Sequence, residues 1–99
     1  MTSARYRFTA SLWLWKDESS WWFVTLPDDV SDDIEDRHGA SAGGFGSIKV
    51  EVTVGATTWR TSLFPSAEQR AYVLPMKKAV RAAEALVEDE PFDISLVCV

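Results

Sequence analysis

A chain of 99 residues, 46% hydrophobic and 25% charged, holds enough material for one compact domain with its own core and too little for two. Its one cysteine, Cys98, excludes an intrachain disulfide and fits a reducing, cytoplasmic setting, and no stretch approaches the ~20 apolar residues of a membrane helix. The net charge of −5 argues against general duplex binding, which depends on neutralising many phosphates.

Residues 5–16 alternate with a period of two. Tyr6, Phe8, Ala10, Leu12 and Leu14 share one face, and Arg7, Thr9, Ser11, Trp13 and Trp15 the other. Arg5 and Arg7 precede an apolar run, but that run contains Thr9 and Ser11, lacks a small-residue cleavage site and leads into Lys16-Asp17-Glu18. It reads as a strand, not a secretion signal. Asp17-Glu18-Ser19-Ser20 reads as a turn. A second strand over 21–26 ends at Pro27, and the two strands read as a hairpin.

Residues 28–38 read as a short helix capped by Asp28 or Ser31, with acids in the first turn and only Val30 and Ile34 to bury. Gly39 is placed to stop it, and 39–46 (GASAGGFG) reads as a flexible loop. Strict alternation then predicts a strand over 47–54, with Ile48, Val50, Val52 and Val54 inward. Gly55-Ala56 turns the chain into a strand over 57–64, followed by a polar loop at 65–70 and a short strand at 71–74. Pro75 suits a first helical turn, and Met76, Ala79, Val80, Ala83 and Val87 follow helical spacing until Glu88-Asp89-Glu90 and Pro91. A last strand spans 92–99. The order ββαβββαβ is mainly β with two short helices, which favours a small barrel or sandwich.

Charge is distributed unevenly. Asp28, Asp29, Asp32, Asp33, Glu35 and Asp36 fall within nine residues, and five more acids lie between Glu84 and Asp93. Between these blocks Lys49, Arg60, Arg70, Lys77, Lys78 and Arg81 face only Glu51 and Glu68, a local excess of four positive charges. One anionic ligand therefore fits here where duplex nucleic acid does not.

The run Trp59-Arg60-Thr61-Ser62-Leu63-Phe64-Pro65, followed by Tyr72-Val73-Leu74-Pro75-Met76-Lys77-Lys78-Ala79-Val80-Arg81, resembles the bacterial family catalogued as domain of unknown function 1905. The opening strands ending in Leu26-Pro27 match its start, so the resemblance spans nearly the whole chain. It implies a single small double-split β-barrel domain with helices at its ends, related in architecture to swapped-hairpin transcription factors, and it implies no established activity. Two loops depart from the family pattern, Ser66 to Ala71 and Glu88-Asp89-Glu90-Pro91.

The basic cluster is the strongest candidate site. Lys77 and Lys78 fall in the expected first turn of the second helix, where a cation is unfavourable by about 0.3–1 kcal/mol. Tolerating them there suggests ammonium and amide groups converging on a phosphate or carboxylate. Arg81 lies one turn on, Arg60 joins if its strand docks beside this helix, and Trp59 would form a wall. The competing reading is solvated lysines and an arginine paired with an acid.

The five tryptophans pose a separate question. Trp21 and Trp22 are neighbours on a strand, so they point to opposite faces, and Trp13 and Trp15 oppose Leu12 and Leu14. General residue preferences favour burial, with an exposed patch or a dimer interface as the alternatives. His38 has no second histidine and no nucleophile-elbow motif near it, so it reads as a cation at a helix end and not as a general base. His38 and Cys98 do not make a zinc site, and the Asp run lacks the spaced glycine of a calcium loop. Gly43-Gly44-Phe45-Gly46 leads into a strand, the wrong context for cradling phosphate. The expectation is thus a non-enzymatic binding module without cofactor or metal, monomer or homodimer. Its site is Arg60, Lys77, Lys78, Arg81 and Trp59, and it takes a small anionic ligand or a protein partner. A nucleic-acid-binding or protein-interaction domain of the swapped-hairpin barrel type is the alternative.

Overall fold

Period-two alternation, sustained from Ile48 onward, builds the centre of a seven-stranded antiparallel sheet. The computed structural model describes residues 5–16, 20–43 and 46–99. Most of the expected turn at 17–20, and Gly44 and Phe45 of the expected glycine-rich loop, lie outside the described residues. The elements are β1 (Arg5–Ala10), β2 (Trp13–Leu14), β3 (Trp22–Thr25), α1 (Asp28–His38), a 3-10 turn (Gly39–Ser41), β4 (Ile48–Val54), β5 (Thr57–Ser66), β6 (Ala71–Pro75), α2 (Lys78–Ala83) and β7 (Phe92–Cys98).

The strands are ordered β1-β7-β4-β5-β6-β3-β2, so β1 and β2 are opposite edges of the sheet. They are also consecutive in the chain. Three Cα steps from Ala10 to Trp13 reach about 10 Å, whereas the edges of a flat seven-stranded sheet lie about 29 Å apart. The sheet must therefore curl until its edges approach, giving a half-barrel, mainly β, with two short helices. The long strand β5 spans the two halves: residues 57–63 pair with β4, and 64–66 pair with β6.

The expected first strand is thus two strands. Arg5 to Ala10 pair with β7, from Arg5↔Val97 to Ala10↔Phe92, and the expected hairpin is formed by Trp13 and Leu14 opposite Phe23 and Trp22, continued by the Trp15 N–H donating to the Trp21 carbonyl. Between them Leu12 is buried at 2% exposure and forms a parallel bridge with Glu88. Burying Leu12 at the crossing point between the two edges is what breaks the strand.

The inward residues read from alternation form the core. Ile48, Val50, Val52 and Val54 pack with Leu63, Leu74, Ile94 and Leu96, and Ile34 and Val80 close it from the helices. Each such side chain contributes about 1.5–3 kcal/mol on burial. β5 runs to Ser66, two residues past its expected end, and so includes Pro65. A proline fits because pairing with β4 stops at Leu63, so the missing N–H has no partner to lose on that side.

The helices differ from expectation at their ends. α1 has Pro27 at its N-cap and no side-chain cap; Ser31 is buried inside the helix, its Oγ accepting the Tyr72 N–H at 3.0 Å. Gly39 continues the chain into the 3-10 turn with φ −59°, so it does not stop the helix by a left-handed residue. α2 has six residues and starts at Lys78, because Pro75 is held in β6 opposite Phe23 and the Met76 N–H donates to the Trp22 carbonyl at 2.8 Å. It ends at Ala83, before Ala85 takes a positive φ of 50°. The Asp89 N–H donates to the Leu12 carbonyl, drawing the following segment toward the strand edge. Of the expected apolar stripe only Met76 and Val80 are buried, and Val87 is exposed. Among the described residues no helix is long and apolar enough to cross a membrane.

Candidate functional site

The pairing of β3 with β6 carries the aromatic run Trp21-Trp22-Phe23 up to the entry of α2, and β5 brings Trp59 to Thr61 alongside. Between them lies a cavity of about 440 Å³. All five residues singled out in the sequence line it: Trp59, Arg60, Lys77, Lys78 and Arg81. Arg60 reaches it through the docking of β5 against β6, the strand that leads into α2.

These residues have different local roles. Trp59 is buried and belongs to the core as much as to the cavity. Arg60 stands opposite Glu51 in the β4–β5 register, and its Nε donates to Glu51 Oε2 at 3.2 Å. Both side chains are exposed, so the pair contributes about 0–1 kcal/mol. Arg81 is fixed more firmly: its Nε donates to the Met76 carbonyl at 3.0 Å, and its Cζ lies 5.5 Å from the centroid of Trp22. That cation–π contact leaves the guanidinium at the cavity wall. Lys77 and Lys78 are exposed, and among the described residues neither they nor Arg81 form an ion pair with a carboxylate. No Asp or Glu is among the described residues lining the cavity.

The helix itself contributes less than the sequence suggests. Lys77 is the N-cap residue, in extended conformation, and Lys78 the first residue of a helix of barely two turns. The Val80 and Arg81 amides both donate to the Lys77 carbonyl. Side-chain cations and an aromatic wall, not a long helix dipole, therefore define the site.

Trp21, Trp22 and Phe23 also line the cavity, and sequence reasoning did not place them there. The visible signal was the aromatic run itself; what was missing was the β3–β6 pairing. From Trp21 a ladder of tilted rings continues outward, with centroids 6.5 Å apart for Trp21–Phe23, 5.4 Å for Trp13–Phe23 and 6.0 Å for Trp15–Trp21. Trp13 and Trp22 are half-buried, but Trp15 is 41% and Trp21 63% exposed, so burial does not extend to every tryptophan. β2 is the sheet edge, and the helices pack elsewhere, α1 on Tyr72 and α2 through Val80.

His38 and Cys98, distant in sequence, line a second cavity of about 350 Å³ with Ser47 and Lys49. Burial, with Asp33 adding to it, pushes the Cys98 thiol up and so disfavours the thiolate that nucleophilic attack or metal ligation requires. Among the described residues no three of His, Cys, Asp and Glu gather into a metal-binding group.

The family model described as Domain of unknown function (DUF1905) matches residues 8–96, nearly the whole chain. No curated protein matches the chain.

Proposed function

The chain belongs to the DUF1905 family, whose description specifies no activity, and from the geometry of its own residues we propose that it is a non-enzymatic module binding a small anionic ligand in the cavity between β3, β5 and α2. One observation carries this reading: Lys77, Lys78 and Arg81, none paired with a carboxylate among the described residues, line one aromatic-walled cavity with Arg60 at its side. Apolar walls lower the local dielectric and focus the field of the cations, so an anion is attracted here although the protein is acidic overall. A volume of about 440 Å³ lies within the ordinary range for small-molecule sites. The described lining offers cations, hydroxyls and rings but no general base for neutral pH, which favours binding over catalysis. A single, buried cysteine supports a reducing, cytoplasmic setting.

A protein partner is the second reading, favoured by the exposed Trp15 and Trp21. A thermal-shift series with phosphate, carboxylates, nucleotides and short oligonucleotides at two salt concentrations separates the two. A ligand at ~100 times its Kd adds about 2.7 kcal/mol, a rise in Tm of roughly 10–20 °C for a domain of this size. The expected result is a salt-sensitive rise that disappears in Lys77→Ala/Lys78→Ala. No rise with any anion retires the anion site in favour of the partner.

A further inference from the structure

Resting on that anion-binding reading, we infer that the ligand is a nucleoside monophosphate, with its base against Trp21 and its phosphate among Lys77, Lys78 and Arg81. The two halves of the cavity call for two kinds of chemistry in one molecule. On one side Trp21 lines the cavity and is 63% exposed overall, its ring in tilted contact with Trp15 and Phe23. An exposed indole in an apolar wall offers a planar surface on which a planar ring gains both apolar burial and stacking. On the other side three cations lack carboxylate partners among the described residues.

Charge narrows the anion. A carboxylate brings one negative charge, whereas a phosphate monoester brings about −1.5 to −2 at neutral pH and three strong acceptor oxygens. The monoester is the better match to two ammonium groups and a guanidinium whose Nε is engaged by the Met76 carbonyl. A cationic aromatic ligand, which a ring cage alone would accept, is disfavoured by the same cations. The cavity volume of about 440 Å³ suits one nucleotide-sized ligand and not a run of several.

Calorimetric titrations of the full chain with adenosine monophosphate, adenosine, inorganic phosphate and a 5′-phosphorylated tetranucleotide test this. The monophosphate is expected to bind more tightly than either adenosine or phosphate. Trp21→Ala, at an exposed position that the core does not use, should weaken the monophosphate tenfold to hundredfold, on the order of one base–indole stack, and leave phosphate unchanged. Lys77→Ala/Lys78→Ala should weaken both. A tetranucleotide no tighter than the monophosphate makes the free nucleotide the source of the ligand, and one more than tenfold tighter makes it a strand end. If phosphate and monophosphate bind equally and Trp21→Ala changes neither, the nucleotide assignment falls while the anion site stands. Equal binding of adenosine and its monophosphate also overturns the assignment, because the phosphate then has no role. If none of the four binds, the nucleotide assignment falls, and the anion site then stands or falls with the carboxylates of the thermal-shift series.

Discussion

Two tyrosine hydroxyls hold α1 against the sheet. Tyr6 Oη donates to Asp33 Oδ2 at 2.6 Å, and Tyr72 Oη to Glu35 Oε2 at 2.5 Å, while the Tyr72 backbone N–H reaches Ser31. Burial, reinforced by the carboxylate each one faces, pushes both phenols up to about 12. On the other side of one pair, the Tyr6 hydroxyl and then Arg37 hold Asp33 below the usual carboxylate range. The direction of the pH effect follows from linkage. A phenol titrating near 10 when unfolded and near 12 when folded retains its proton longer in the native state, so its stabilising contribution is complete below pH 10 and is lost between about 10 and 12. Urea midpoints measured from pH 8 to 12 should therefore fall over the upper half of that range. Tyr72→Phe should flatten part of the fall and cost about 1 kcal/mol at neutral pH through the lost hydrogen bond. A Tyr72→Phe profile parallel to the wild-type one would mean that this phenol does not carry the effect.

The β4–β5 hairpin shows how one residue can set an element. Its turn places Gly55 at φ +57°, and a Cβ there would run into the carboxylate of Glu84, which accepts a hydrogen bond from Thr57 Oγ1 at 2.6 Å. Gly55→Ala is expected to cost about 1–2 kcal/mol in left-handed strain alone, lowering Tm by roughly 5–15 °C in a domain of this length. The same substitution in a Glu84→Ala background should cost less, since only the backbone strain remains. A Gly55→Ala protein that melts with the wild type would rule out both effects. This element was legible in the sequence because alternation on either side of Gly55-Ala56 admits one register, Val54↔Thr57. α2 was not. Helical spacing out to Val87 describes a helix that local propensity allows, but the Leu12–Glu88 bridge and the Asp89–Leu12 hydrogen bond come from the other end of the chain and override it.

The same division between local and distant information governs the whole molecule. The cations of the site were readable because Lys77, Lys78 and Arg81 are close in sequence, but Trp21 and Trp22 join them only through the Phe23↔Pro75 register, which no local pattern announces. Closure of the sheet depends on a still longer connection, since β1 pairs with β7 from Arg5↔Val97 to Ala10↔Phe92. Joining these ends before the sheet exists costs roughly 3 kcal/mol more loop entropy than closing the β4–β5 turn. The hairpin should therefore form early and the β1–β7 pairing late. Refolding is expected in the millisecond-to-second range typical of sheets with distant pairings. Ile94, buried at 2% exposure on β7 opposite Phe8, provides the test. Ile94→Ala should lose about 2–5 kcal/mol, appearing mainly as faster unfolding. Val52→Ala in the hairpin should instead slow refolding. Stopped-flow chevrons of the two variants measure both arms, and slowed refolding in Ile94→Ala with unchanged unfolding would place the β1–β7 closure at the start of folding.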